Sequence, residues 1–507
     1  MVAHTREIDG VPVHWTEQPG RLSASLVFRI GVRDEDFATS GLTHLVEHLA
    51  FSAIPVPDHE TNGSVSLNFT EFTVDGRPDE VVESLEAVCR SLSALAEGRV
   101  DAEMLARERA VLEAEGAVGA VPFEVGVALS HRFGLKGLGL APVQAKYLDR
   151  IGPEDVARHA AEYFTRGNAV LVLSGEPPAG LRLPLPDGPR RRPADVPALP
   201  QAGPHEYGDE GEGVTLSFPT PGPADDASLL LPLVFQVLQR RVREGLRRQE
   251  GLVYDVDAGT VLVDDRRGIA VVRVNVAPRN AAGSARRIID ELRSLRDHGA
   301  TQDEVRRVIT ALESDGAEPG ADQAEVYETA LDELVGIRHQ SMAEHLAAFQ
   351  AYVPGSGIGA LADLEGQLLV GFTAEASPET DSPVSAELLY PPRDRVDPPA
   401  IEGAVYKRGL IARFAGAPAD LKLVIGTDGL QMTMFGQTIS ALYSEVVGLE
   451  HERVDEGVDG VTLFLADGFQ IAVLSAWFRK GSEVVERLRS AVPERLHYAA
   501  ESRPEAA

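Results

Sequence analysis

His44, Glu47 and His48 stand together in the run GLTHLVEHLAFSA, residues 41–53, which is otherwise apolar. The two histidines are i and i+4, so on a helix they project from one face about a turn apart. Two imidazoles so placed can bind a single zinc ion. Glu47 lies near the same face but is displaced around it. From there a carboxylate can take the proton of a water that zinc has acidified, without occupying a ligand position. The spacing H-x-x-E-H is the inverted signature of a class of zinc peptidases. The plainer reading is two histidines making polar contacts near a helix end.

A catalytic zinc takes three protein ligands and keeps one position open, so a third ligand must come from elsewhere in the chain. Cys89 is the one cysteine and sits in a helical pattern, so no cysteine-based site and no intramolecular disulfide can form. The segment LARERAVLEAEG offers Glu108, Glu113 and Glu115. Glu108 and Glu115 are seven apart and share a helix face, whereas Glu113 points elsewhere. The plain reading of any glutamate here is a solvated surface.

Elements must hold these residues in place. RLSASLVFRIGV alternates as a strand, and SGLTHLVEHLAF follows as a helix with Ser40 as its expected N-cap. SVSLNFTEFTVDG reads as a further strand, followed by two helical stretches, a helix in GPEDVARHAAEYF and a buried strand in NAVLVLSG. The order strand–helix–strand–strand–helix–helix then recurs from GVTLSFPTP onward, without a counterpart of the histidine pair. Chemistry is therefore expected once per chain. The fold class is α+β: two homologous α+β domains, each a mainly antiparallel sheet with helices packed on it, and a small β-rich C-terminal domain with a closing helix. The expected bounds are 1–178 for the first domain, 179–206 for a Pro-rich linker, 207–378 for the second domain and 400–500 for the last. A pleckstrin-homology type is one small fold that suits the last, with Trp477 and Phe478 in its core.

The chain has 507 residues, 44% hydrophobic and 25% charged, with a formal net charge of −30. That charge opposes nucleic-acid binding and suits a neutral or basic partner. No apolar run is long enough for a bilayer and the N-terminus has no secretory pattern, so a cytoplasmic location without membrane contact is expected.

The segment RIGVRDEDFATSGLTHLVEHLAF resembles, nearly end to end, the zinc-motif segment of the insulinase/pitrilysin peptidases, especially short members such as the catalytic subunit of mitochondrial processing peptidase. ERAVLEAE is similar to that family's downstream helix. The resemblance implies that His44, His48 and Glu115 hold one Zn2+ per chain, that Glu47 is the base, and that Glu108 supports the ligands. LNFTEF falls where the family has a substrate-pairing edge strand, which implicates Leu67, Asn68, Phe69 and Thr70. RRQEGLVY is similar to the family's Arg and Tyr pair, which puts Arg247 and Tyr254 near the substrate carbonyl, with Arg248 competing for the first role. The family's chamber is built from four α+β domains. A chain with two is therefore expected to pair with itself or with a related peptidase-like chain, and to cut flexible peptides or leader segments as an endopeptidase. The alternative is a non-catalytic binding or structural subunit. Two features depart from the family pattern: the interval from His48 to Glu115 is short, trimmed around SAIPVPDHETNG, and the third section has no usual counterpart.

Overall fold

The computed structural model describes residues 3–499 except 53, 55–58, 116–120, 144–146, 200–203, 210–212, 251–254, 374–394, 396–397, 410–411, 413–416 and 456–457. The side chains of 209, 246–250, 373, 452–455, 458 and 499 also lie outside the description.

The first α+β body runs β1 (His4–Ile8), β2 (Val11–Trp15), β3 (Leu22–Phe28), α1 (Leu42–Ser52), β4 (Glu60–Val65), β5 (Thr70–Gly76), α2 (Pro78–Ala96), α3 (Ala102–Glu115), α4 (Phe123–Phe133), α5 (Pro153–Tyr163) and β6 (Ala169–Leu173). Local chemistry sets the helix starts. Pro78 and Pro153 occupy first-turn positions where no N–H is needed. Glu80 and Asp155 each accept the backbone N–H three residues back, at 2.7 and 2.9 Å. The strands order β1-β2-β6-β3-β5-β4. The apolar faces of α1, α2 and α5 bury Leu45, Val46, Leu85, Val88 and Val156 against Leu26, Phe28, Phe72 and Leu171 of the sheet.

The second body runs β7 (His205–Asp209), β8 (Val214–Pro221), α6 (Leu231–Glu250), β9 (Val256–Leu262), β10 (Arg267–Val274), α7 (Ala281–His298), α8 (Gln302–Gly316), α9 (Ala321–Val335), α10 (Met342–Ala351) and β11 (Leu369–Thr373). Its sheet orders β7-β11-β8-β10-β9. That is the order of β2-β6-β3-β5-β4 element for element, including the parallel pair at β7–β11 that answers β2–β6. The repeat legible in the sequence is thus a repeat of topology. On α6, which occupies the place of α1, Leu233, Val234, Val237 and Leu238 are core.

The third body has two four-stranded sheets. The first contains β12 (Ala404–Lys407), β13 (Lys422–Ile425), β14 (Gly429–Met434) and β15 (Gln437–Leu442). The second contains β16 (Val446–Asp455), β17 (Val458–Leu465), β18 (Gln470–Leu474) and β19 (His497–Ala499), and α11 (Gly481–Ala491) closes the core between them. Phe478 is buried and Trp477 packs against the same core.

Three expectations need correction. SVSLNFTEFTVDG is not one strand but parts of a hairpin, in which Ser66 N donates to Phe69 O at 2.8 Å to close the turn. The edge of the sheet is therefore β4, and the segment Leu67–Thr70 is not an edge strand. Its polar groups are already engaged: Arg33 N bonds Leu67 O at 3.1 Å, Arg33 Nη1 bonds Asn68 Oδ1 at 2.9 Å, and Thr70 Oγ1 donates to Ile30 O at 2.9 Å. Thr70 opens the internal strand β5, paired on both sides, and Phe69 packs against the cluster beneath α9. Second, Ser40 does not cap α1. Its hydroxyl donates to Val143 O, and the first-turn N–H groups of Gly41 and Thr43 are taken by the buried Glu35 carboxylate at 2.9 and 2.7 Å. Third, the Pro-rich connection between β6 and β7 is no free tether. Leu181, Leu183 and Leu185 are buried in the first core, and Val196 is buried between the two bodies.

The bodies are tied closely. On α9, Val326, Ala330 and Leu334 pack on Val27, Val170 and Val172 of the first sheet. Arg132 on α4 is buried and donates to Ser217 O and Gln367 O, both at 3.0 Å. Arg33, also buried, joins the turn after β4 to the turn after β9 by donating through Nη2 to Val263 O at 3.1 Å. Among the described residues no helix is long and apolar enough to cross a membrane.

Candidate metal centre

The helix α1 buries Leu42, Leu45, Val46, Leu49 and Ala50 and so fixes which face turns outward. On that face the imidazoles of His44 and His48 stand with ring centroids 4.8 Å apart. Opposite them, α3 is held by buried Leu105 and Leu112, which direct Glu108 and Glu115 toward α1. Glu115 Oε2 lies 3.5 Å from His48 Nε2 and 4.0 Å from His44 Nε2. Ligands bound at about 2.0–2.1 Å to one tetrahedral ion lie roughly 3.3 Å from each other, so this spacing is close to that of a zinc site.

Glu108 approaches the other side of the ring: its Oε2 is 3.4 Å from His48 Nδ1. A carboxylate at Nδ1 keeps the proton on that nitrogen and leaves the Nε2 lone pair free. Burial works against charge on Glu108, but hydrogen bonds from Ser52, Arg107 and His48 outweigh it and hold its carboxyl below the ordinary value. Burial, with a smaller contribution from His48, pushes His44 down to about 4, so it stands neutral and ready to coordinate at pH 7. Donor types, spacing and protonation together fit zinc.

Glu47 is the most confined of the group. It is 5% exposed, although carboxylates are rarely so buried without a cation. Burial, then the carboxylates of Glu115 and Glu108, push it up to about 8. Its Oε2 is 3.7 Å from His44 Nε2 and 3.8 Å from His48 Nε2. Among the described residues the one tight metal-type group is His44, Glu47 and His48. Distance alone does not separate Glu47 from Glu115 as the third ligand. Glu115 approaches from a second helix and is exposed, while Glu47 shares a helix with both histidines and lies under β4.

The contact with β4 is through Gly63. A Cβ there would fall 1.8 Å from Glu47 Oε1, 2.6 Å from its Cδ and 2.8 Å from Phe51 Cε2. The hydrogen-bonded pair Ser66–Phe69 sets the alternation of the antiparallel ladder. Asn62 and Ser64 therefore bond inward to β5, and Thr61, Gly63 and Val65 turn their N–H and C=O groups to the open side. The sequence reading missed this strand because Asn62-Gly63, a dipeptide that usually marks a turn, lies within it. Arg247 falls on α6, where its side chain is outside the description, and Tyr254 lies outside the described residues. The structure therefore brings together His44, Glu47, His48, Glu108 and Glu115.

Comparison with known proteins bears on the fold. None of the curated proteins matches the chain. Residues 150–312 match the family described as Peptidase M16 inactive domain, a stretch that excludes α1 and α3. Among solved structures, a protease from Helicobacter pylori aligns over 73% of this chain and 99% of its own, at 14% identity and a TM-score of 0.60. A chain of complex III2 from Candida albicans aligns over 73% and 95%, at 14% identity and a TM-score of 0.58. A peptidase M16 inactive domain from Pseudomonas fluorescens aligns over 74% and 98%, at 16% identity and a TM-score of 0.58. Over about three quarters of the chain the fold is that of these M16 structures, and the stretch running from α5 into α8 matches the model of that family's inactive domain.

Proposed function

We propose that this chain is a zinc-dependent endopeptidase acting on flexible, extended peptides. The observation that carries the reading is the convergence of His44, His48 and Glu115 from two helices upon one point, with a buried carboxylate beside it at the free edge of a sheet. When bound there, zinc supplies a Lewis acid that polarises the scissile carbonyl and acidifies a water. Glu47 accepts the proton of that water and later delivers it to the leaving amine, a task suited to a carboxyl tuned toward neutrality. Glu108 holds His48 in its tautomer. The substrate adds as a further strand to β4, where the open backbone groups of Thr61, Gly63 and Val65 read the peptide main chain and tolerate varied side chains.

Arg247 and Tyr254 are assigned by resemblance to binding substrate and stabilising its developing oxyanion. Two α+β bodies make half of a chamber, so the active form pairs two such chains, alike or related. The second reading, a non-catalytic subunit, is favoured by the inactive-type match, but that match covers only α5 and β6 of the first body before it enters the second, and leaves out α1 and α3. Zinc analysis with the Glu47→Gln variant decides between them. The peptidase reading expects stoichiometric zinc in both proteins and peptide cleavage by the parent alone. A parent that binds no zinc, or a variant that cleaves as fast as its parent, overturns it.

A further inference from the structure

The third body adds nothing to the ligand set, yet it packs on the segment that leads into α1 and on the chain beyond α4. Phe37, seven residues before His44, is 3% exposed. Its ring lies 5.3 Å from Tyr147, 5.2 Å from Phe464 and 6.1 Å from Tyr498. The last two belong to β17 and β19 of the third body. Gly448 of β16 approaches so closely that a Cβ would sit 2.3 Å from Phe37 Cε1.

The other side of the contact is the segment after α4. Leu135 N donates to Ala466 O at 3.0 Å, and Gly134, at φ 72°, leaves no room for a Cβ against that same carbonyl. Tyr147 and Tyr498 overlap with centroids 3.6 Å apart, and Arg150 reaches the carbonyls of Glu494, Arg495 and His497 while lying over the Tyr498 ring. These residues form an apolar cluster separate from the core of either neighbouring body.

We infer that the third body is a strut that fixes the start of α1 against the chain beyond α4, with Phe37 as the positioning residue. The argument is geometric. The ligands come from two helices, so the site exists only if those helices keep their separation. Between Phe37 and His44 the chain has little freedom: Asp36 accepts N–H bonds from Ala38 and Thr39, Ser40 is bonded to Val143 O, and Glu35 holds the first turn of α1. A ring clamped at Phe37 is thus coupled to the start of the helix through a short, fully bonded connection. The same aromatic cluster grips the chain beyond α4. The third body is accordingly a structural part of the metal centre and not an appended binding module.

This inference rests on the zinc reading for its functional consequence but not for its test. Hydrogen exchange of the metal-free protein reads the helix directly. In the Phe464→Ala/Tyr498→Ala variant, amides of residues 41–49 exchange faster than in the parent while those of β5 and β6 do not. Chelator competition then shows zinc bound about ten-fold more weakly, the size of loss seen when supports of metal ligands are removed. Peptide turnover falls in kcat with KM little changed. Phe435→Ala, on the exposed turn between β14 and β15, changes none of these. If the double variant does not fold, Gly448→Ala makes the same test by displacing the Phe37 ring. Unchanged protection of residues 41–49, together with unchanged zinc affinity, in whichever variant folds overturns the strut. A parent that binds no zinc but shows the exchange effect leaves the strut standing and overturns the peptidase reading instead.

Discussion

Gly63→Ala separates the stability of this site from its chemistry. The added methyl would lie 1.8 Å from Glu47 Oε1, whereas carbon and oxygen atoms pack at roughly 3.4 Å or more. The carboxylate must then retreat by about 1.5 Å. The atoms displaced are the ends of two side chains, the Glu47 carboxylate and the Phe51 ring edge; alanine suits a strand better than glycine by about 0.5–1 kcal/mol, which offsets part of an overpacking cost of about 1–3 kcal/mol, so stability should fall only modestly. Catalysis should not be spared: a misplacement of about 1 Å can cost ~10²-fold in rate, which is ~2.7 kcal/mol of activation free energy. Zinc content should stay at the parental level, because the atoms nearest the added methyl belong to Glu47 and Phe51 and not to His44, His48 or Glu115. The assay is kcat and KM on a peptide, with metal analysis and a thermal melt on the same preparation. A variant with full zinc and a kcat within about three-fold of the parent would refute the claim that Glu47 acts from under β4.

His44→Ala and His48→Ala each remove zinc and activity together, measured by metal analysis and peptide cleavage. Glu115→Gln weakens zinc binding much more than Glu113→Gln, with Glu108→Gln between them; equal affinities at 113 and 115 would mean the third ligand has been misassigned. Zinc binding also carries a pH signature. In the metal-free protein Glu47 sits at about 8, so at pH 7 it is largely protonated and must release its proton beside the cation. Affinity therefore rises with pH by at most about ten-fold per unit up to about pH 8. Calorimetry in buffers of different ionisation enthalpy should detect the proton, and Glu47→Gln should abolish it. The same raised carboxyl makes a contribution to metal-free stability that declines as pH climbs from about 4.5 to about 8, so the parent's melting temperature should fall across that window relative to Glu47→Gln.

The side-chain cluster of the candidate metal centre was legible because its rules are local. The i, i+4 spacing of His44 and His48 and the seven-residue spacing of Glu108 and Glu115 fix helix faces whatever surrounds them. The repeat of topology was legible for a related reason, since each copy must pair strands and cover them in the same order. What the sequence hid was decided by contacts between distant segments. The hairpin at residues 66–69 depends on the turn at Val32–Asp34 accepting it, so SVSLNFTEFTVDG alone looks like one strand. The cap on α1 is Glu35 and not Ser40, because Val143, a hundred residues on, claims the serine. Nothing near Phe37 in sequence announces that Tyr498 will cover it.

The buried guanidinium of Arg33 carries a mechanical implication. By holding Asn68 and Val263 at once, it pins the ends of both sheet-edge hairpins to one post, while α9 glues the sheet of the first body to the second from behind. A cleft that opened by swinging these two bodies apart would have to strip hydrogen bonds from a desolvated cation. In the paired form proposed above, entry of a long peptide would then come from parting one whole chain from its partner, like two bowls set rim to rim, and the seam between chains, not the seam within one, would be the hinge that governs how fast substrate gets in.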